Sequence, residues 1–296
     1  MEKYVLALGF FDGVHIGHGA LLHKTNKRAE ALGALPGVIT FDRHPRAHTG
    51  GQEVPLIGTS QMRKKLIAQK FGINMVEEIV FDESFRKMPP GEFIDFLEKT
   101  YAPLHLVCGH DFRFGYQGEG NPELLAQACK RRGIGLDIIE EARLEGVLVS
   151  STHIRQLLQE GDMQEAARFL GHYYPLCQVV EPGQKLGAKL NTPTINMRYP
   201  QGLIALPRGV YLSRVLLEKP YPAITNIGRR PTVEAGDEIW VETHILDYDA
   251  CLYGKELCVE LEDYIRPEQK FLSIEELKGQ IGKDIENARN YFGKQM

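Results

Sequence analysis

The chain has 296 residues, 43% of them hydrophobic and 25% charged, with a formal net charge of −4 at pH 7. The length suggests about two domains, and the composition is that of an ordinary soluble globular protein. The negative balance gives no electrostatic case for general nucleic-acid binding, no stretch approaches the ~18 apolar residues of a membrane span, and the apolar run in MEKYVLALGF is too short for a signal peptide.

The first half alternates short apolar runs with helical patterns. Strands are predicted at Tyr4–Leu8, Leu35–Phe41, Glu77–Phe81, His105–Cys108 and Gly135–Ile139, and helices near 19–32, 60–71, 90–100 and 121–132. Alternating β and α with short links predicts a parallel, doubly wound sheet, whose ligands bind at the carboxyl ends of the strands. Two helices are predicted within Ser150–Tyr174, the second capped by Asp162. Beyond residue 177 the texture changes to short β-rich runs at Cys177–Val180, Gly209–Leu217, Ala223–Ile227, Trp240–Leu246 and Glu256–Leu261, which predict a small antiparallel barrel or sandwich. The tail, Ser273–Tyr291, is predicted as one amphipathic helix with a Ser273/Glu276 capping box. Its apolar stripe is Ile274, Leu277, Ile281, Ile285, Ala288 and Phe292. The five cysteines, Cys108, Cys129, Cys177, Cys251 and Cys258, are scattered without a C-x-x-C pair. They are expected as free thiols of a reduced, cytoplasmic protein, and no cysteine metal site is expected.

The densest motif is ALGFFDGVHIGHGALL, Ala7–Leu22. A strand, a turn rich in small residues and a helix start together present backbone N–H groups and a helix dipole to an anion. His15 and His18 are three apart, so both imidazoles can address one phosphate, and Gly17 leaves room for its approach. The alternative is a loop carrying two surface histidines. Three further segments follow predicted strands or open a helix: TFDRHPR (Thr40–Arg46), GHDFRFG (Gly109–Gly115) and SSTHIR (Ser150–Arg155). The hydroxyls and N–H groups of the last can hold phosphate, with Arg155 neutralising charge. Arg155 can equally be a solvated helix residue, and GHDFRFG a turn with two packed phenylalanines.

Taken in order, these segments resemble the adenylyltransferase part of prokaryotic bifunctional riboflavin kinase/FMN adenylyltransferases, which read G-x-FDGVH-x-GH, TFxPHP, G-x-DFRFG and SST-x-IR. The resemblance implies a Rossmann-like nucleotidyltransferase domain over residues 1–174. It assigns His15 and His18 to the ATP phosphates and the charge at the α-phosphorus, and sets Gly9, Phe10 and Gly17 along the nucleotide. Ser150, Ser151, Thr152 and Arg155 would grip phosphate, while His44, Asp111, Phe112 and Phe114 would serve the flavin. Arg43 departs from the usual Pro, and Asn121 from the usual Asp.

The second half carries GQKLGAKLNTPTIN (Gly183–Asn196), PRGVYL, ITNIGRRPTV, VETHILDYDACLYGKEL and IRPEQKF. Read alone, the spaced glycines suit a barrel loop, but a threonine hydroxyl and an asparagine carbonyl are hard oxygen donors of the kind Mg2+ takes. Glu242, flanked by Val241 and Thr243, is expected on one strand face with His244, an inward-facing one. A solvated strand glutamate is the plainer alternative. These segments resemble the riboflavin kinase part of the same family. That implies a riboflavin-kinase-like barrel with a C-terminal helix over 175–296, with Glu242 as general base, Gly183 and Gly187 at the nucleotide, and Thr194 and Asn196 on ATP and Mg2+. Ala188, Asn191 and Thr192 depart from the usual Arg, Gly and Phe.

The expected activity is phosphorylation of riboflavin to FMN, then adenylylation of FMN to FAD, each with ATP and Mg2+. The expected partners are these small molecules, with no nucleic acid or membrane, in a monomer or weak homo-oligomer. The alternatives are an FMN adenylyltransferase with a silenced barrel, and a flavin-binding regulatory protein without turnover.

Overall fold

The computed structural model describes residues 2–43, 54–183, 192–231 and 237–294. They form two compact units, Met1–His153 and Ile154–Met296.

The first unit is built on five strands, β1 (Tyr4–Leu8), β2 (Leu35–Phe41), β3 (Met75–Ile79), β4 (Pro103–Gly109) and β5 (Gly135–Ile139), in the order β3-β2-β1-β4-β5. Every pair is parallel. The chain runs outward from β1 to β3, then returns beside β1 and runs outward the other way, so the strand order reverses at β1 and β4. Ligand crevices open at such switch points, beyond the carboxyl ends of the strands. The central strand is buried on both faces, as parallel sheets require. Val5 and Ala7 join one apolar core with Phe11, Leu22 and Val107, while Leu6 and Leu8 join a second with Phe93, Leu97 and Leu125.

Helices α1 (Ile16–Leu32), α2 (Ser60–Phe71), α4 (Pro90–Tyr101) and α5 (Pro122–Arg132) cover the sheet, with a one-turn helix α3 (Glu83–Arg86) between α2 and α4. Their starts follow the capping chemistry in the sequence: Thr59 accepts from Met62 N, and Asn121 from Leu124 N. Asn121 thus does the capping that Asp would do. Strand β3 begins two residues before the predicted Glu77, because Met75 pairs with Gly37 of β2. The hairpin β6 (Arg143–Leu144) and β7 (Val147–Leu148) was not predicted, its strands being too short for a periodic signal.

Helix α6 (Ser151–Glu160) spans the division between the units, and α7 (Met163–Leu170) follows with Asp162 as its cap. The second unit holds six antiparallel strands, β8 (Tyr174–Val179), β9 (Ile195–Arg198), β10 (Gly209–Leu216), β11 (Pro220–Pro231), β12 (Asp237–Ile245) and β13 (Glu256–Pro267). Their order is β8-β13-β10-β11-β12-β9. Among the described residues, a bridge from Glu181 to Asn196 brings the two edges together, so the sheet is a nearly closed barrel. Within it, the hydroxyls of Ser213, Thr225 and Thr243 form a buried ladder across three strands, each step 2.8 Å. The tail helix α8 (Ile274–Gly293) is capped by Ser273 and lays Ala288 and Phe292 against Leu212, Ile224 and Leu246. Ile274, expected in its apolar stripe, is 62% exposed, because it lies in the first turn, before the helix meets the barrel.

The free-thiol expectation holds for Cys108, Cys129 and Cys251 and fails for two cysteines. Cys177 and Cys258 form a disulfide across 81 residues of sequence. They are directly opposite in the β8–β13 pairing, a register that spacing along the chain does not reveal.

Candidate functional site

The first site lies where β1, β2 and β4 end. The turn after β1 is strained: Phe11, Gly13 and Val14 have φ of 56°, 75° and 46°. Left-handed backbone costs a bulky or β-branched residue about 1–3 kcal/mol, and it persists only where the surroundings over-determine it. Here they do. The buried Asp12 carboxylate accepts the backbone N–H of Ile57, 2.9 Å, and of Gly58, 3.2 Å. The Phe10 carbonyl accepts from the Thr40 hydroxyl, 2.9 Å, and from Arg63 Nη1, 3.2 Å. Ser151 Oγ donates to the Asp12 carbonyl at 3.4 Å, which fastens the SSTHIR segment to the same turn.

His15 is the N-cap of α1, its Nδ1 accepting from His18 N at 3.2 Å. That leaves the His15 proton on Nε2. The two imidazoles are stacked, centroids 3.6 Å apart. His18 Nδ1 is buried without a hydrogen-bond partner among the described residues. Burial first, then His15 and Arg63, push the His18 pKa well below the ordinary imidazole value. The pair is therefore a neutral donor surface at the amino end of α1, where the helix dipole adds positive potential. A Cβ on Gly17 would stand 3.2 Å from the His15 ring, so any side chain here would press on the stacked imidazole.

The other expected residues fall at several places. Gly9 and Phe10 lie in the β1 exit, with the Phe10 ring under the Arg63 guanidinium. Ser150 accepts from His153 N and starts α6, and Thr152 is exposed on its first turn. Arg155 is one turn further along α6. Asp111 is exposed after β4, and Phe112 stacks on Phe114 at 5.6 Å. Phe114 is only 5% exposed and packs in the core beside Phe93, so Phe112 is the more open of the two rings. His44 lies outside the described residues. Arg43, the first departure, is exposed beside Asp42.

The second site is a cavity of about 300 Å³ between the outer face of the barrel and α8, bounded by Thr194, Asn226, Glu242, Arg266 and Asp284. Glu242 and His244 share this face, while Val241 and Thr243 are buried in the barrel interior. Glu242 thus faces the cavity under α8 rather than inward as expected, because the barrel interior is filled by the small and β-branched residues of the alternate register. Glu242 is the cross-strand partner of both Asn226 and Asn196. Asn196 Nδ2 donates to the Thr194 carbonyl at 3.1 Å, which fixes the amide. A Cβ on Gly183 would come within 2.4 Å of Asn196 Nδ2, so the chain passes this amide at backbone range. Thr192 also borders the cavity, and Gly187, Ala188 and Asn191 lie outside the described residues.

Motif reading gave no role to three contributors. Arg63 sits in a helical stretch that reads as a charged surface. His244 Nδ1 meets the Pro193 carbonyl at 2.8 Å and anchors the Thr194 segment. Arg266 pairs with the buried Asp284 of α8, 2.6 Å, at the cavity wall. The only signal of this pair in the sequence was an acid, Asp284, set among the apolar positions Ile281, Ile285 and Ala288 of the tail helix.

Among families of known proteins, FAD synthetase matches residues 1–153 and riboflavin kinase matches residues 170–292. A bifunctional riboflavin kinase/FMN adenylyltransferase of Escherichia coli K12 is 36% identical over 295 residues, 99% of this chain and 94% of that one. The chain belongs to the bifunctional riboflavin kinase/FMN adenylyltransferase family. The Pseudomonas fluorescens member is 34% identical, covering 96% of this chain and 92% of its own, and the Bacillus subtilis member 31%, covering 98% and 93%. A crystal structure described as a macrolide-efflux protein of Streptococcus pneumoniae superposes with a TM-score of 0.84 at 27% identity, covering 98% of this chain and 94% of that one. Among the described residues no helix is long and apolar enough to cross a membrane.

Proposed function

We propose that this chain makes FAD in two steps, phosphorylating riboflavin to FMN and then transferring AMP from a second ATP to FMN with release of pyrophosphate. The observation that carries the reading is one chain holding both a stacked histidine pair at a helix amino end and a strand carboxylate facing a cavity beside Thr194 and Asn196. The family match over both halves supports the two activities together rather than a lone adenylyltransferase or a binder without turnover.

In adenylyl transfer the FMN phosphate is the nucleophile. It is ionised at pH 7, so no general base is needed, and the protein contributes position and charge. His15 and His18 donate to the phosphate at which negative charge grows. Gly9, Phe10 and Gly17 lie along the nucleotide, Ser150, Ser151, Thr152 and Arg155 hold phosphate, and His44, Asp111, Phe112 and Phe114 serve the flavin.

In phosphoryl transfer Glu242 accepts the proton of the ribityl hydroxyl as that oxygen attacks the γ-phosphorus. Gly183 and Gly187 border the nucleotide. Thr194 and Asn196 offer oxygen donors beside a carboxylate, a set that suits Mg2+. When bound, the ion would neutralise phosphate charge. The transferase occupies residues 1–174 and the kinase 175–296, and the chain works in the cytoplasm as a monomer or weak homo-oligomer.

Purified protein incubated with ATP and Mg2+, plus either riboflavin or FMN, tests this by flavin chromatography. FAD from both substrates is expected. FAD from FMN alone would reduce the protein to an adenylyltransferase, and no product from either would make it a binder.

A further inference from the structure

Arg63 is one of the largest fully buried side chains, 1% exposed, and it stands at the carboxyl edge of the parallel sheet. From α2 it reaches three strand ends at once. Nη1 donates to the Phe10 carbonyl beyond β1, 3.2 Å, and Nη2 donates to the Phe41 carbonyl ending β2, 2.8 Å, and to Glu78 of β3, 2.7 Å. Its guanidinium lies over the Phe10 ring, 4.9 Å from the centroid. Ser60 donates to the same Glu78 carboxylate and holds it in place. Arg63 Nε is buried with no hydrogen-bond partner among the described residues.

Stability alone does not account for this placement. Buried ion pairs are often matched or bettered by apolar side chains of similar volume, and an unmet N–H weakens the case further. What only a planar fork with several donors can do is fix the spacing of two exit loops. Those exits are the strained turn Phe10–Val14 that leads to His15 and His18, and the bend at Asp42–Arg43 after β2.

We infer that Arg63 is a positioning residue of the adenylyl-transfer site, holding the β1 and β2 exit loops at the spacing the nucleotide and flavin require. It touches neither substrate. It acts by keeping the Phe10 and Phe41 carbonyls satisfied and the left-handed turn closed. The inference rests on the assignment of adenylyl transfer to the first unit.

The test compares Arg63→Met and Arg63→Lys in the full-length protein, well below the melting midpoint, with FMN formation from riboflavin as an internal control. Arg63→Met is expected to lower kcat/KM for FAD formation about tenfold or more, with kcat sharing the loss, while FMN formation stays within about twofold. Arg63→Lys is expected to recover part of it, because an ammonium keeps the charge but cannot span all three acceptors. A purely structural role would lower the melting point and leave kcat of the folded protein unchanged, which would overturn the inference. Adenylyl transfer within about twofold of the parent in Arg63→Met would overturn it too. If Arg63→Met does not fold, Arg63→Lys decides: parental kcat and KM refute the positioning role, and a selective loss of FAD formation supports it. If the parent itself makes no FAD from FMN, the functional assignment fails separately, and ATP affinity in the same variants then reads Arg63, unchanged affinity refuting it.

Discussion

The imidazoles of His15 and His18 are stacked with centroids 3.6 Å apart and planes 12° from parallel, and the backbone N–H of the second donates to the ring of the first. Two cations at that separation would repel strongly in a partly desolvated site. The pair is therefore a neutral hydrogen-bond donor surface, and on the role proposed for it, removing either ring removes one donor to the reacting phosphate. His18→Ala is expected to abolish FAD formation while FMN formation persists, and a two-substrate flavin assay reads both at once. Loss of one positioned donor corresponds to about 10²–10³ in kcat.

Protonation of the same residue links stability to pH. The folded pKa of His18 lies well below its unfolded value of about 6.5, so the unfolded chain binds the extra proton first. Its stabilising contribution is complete above that pH and is lost as pH falls toward the folded pKa. His105 acts in the same direction: burial lowers its pKa despite the Asp137 carboxylate at 2.9 Å. The melting midpoint should fall as pH drops from about 7 to about 5, and His18→Gln should flatten part of that slope in a calorimetric series.

Glu242→Ala should do the reverse of the histidine variant, stopping FMN formation and leaving FAD formation from supplied FMN. A barrel that still melts cooperatively would place the loss in the chemistry. The companion variant is Gly183→Ala, which drives a methyl to within 2.4 Å of Asn196 Nδ2. That variant should displace the Asn196 amide and lower kinase kcat/KM about tenfold, with adenylyl transfer untouched.

The disulfide gives a stability prediction. Closing 81 residues between Cys177 and Cys258 restricts the unfolded chain by about 4.5 kcal/mol in the chain-entropy account. Melting the oxidised protein with and without a dithiol reductant should separate two midpoints, and Cys258→Ser should show only the lower one. In a thiol-rich compartment the pair would be reduced wherever its potential lies above that of the thiol pool.

The sheet of the first unit was legible because its strands carry their own signal. Val5 to Leu8 are apolar on both faces, and only a strand between two helical layers needs that. The helix caps at Asp162 and Ser273 were legible for the same local reason, whereas Thr59 and Asn121 emerge as caps only in the structure. Strand β9 escaped, since Ile195–Arg198 is too short to show alternation and gains its definition from pairing with Trp240–Thr243. Arg63, the Cys177–Cys258 pair and the Arg266–Asp284 pair escaped because each depends on which distant segments the fold brings together. The face of Glu242 was read from alternation. Which side of the sheet that face turned to depended on the barrel closing around Thr225 and Thr243.

The ladder Ser213–Thr225–Thr243 has a consequence for the barrel's interior. Thr225 has one proton and two lone pairs, so it either accepts from both neighbours or accepts from one and donates to the other, and both contacts carry a proton either way. Thr225 is the rung that both contacts share. Replacing Thr225 with valine would preserve shape yet leave two enclosed oxygens facing a methyl group, whereas serine would keep a hydroxyl between them.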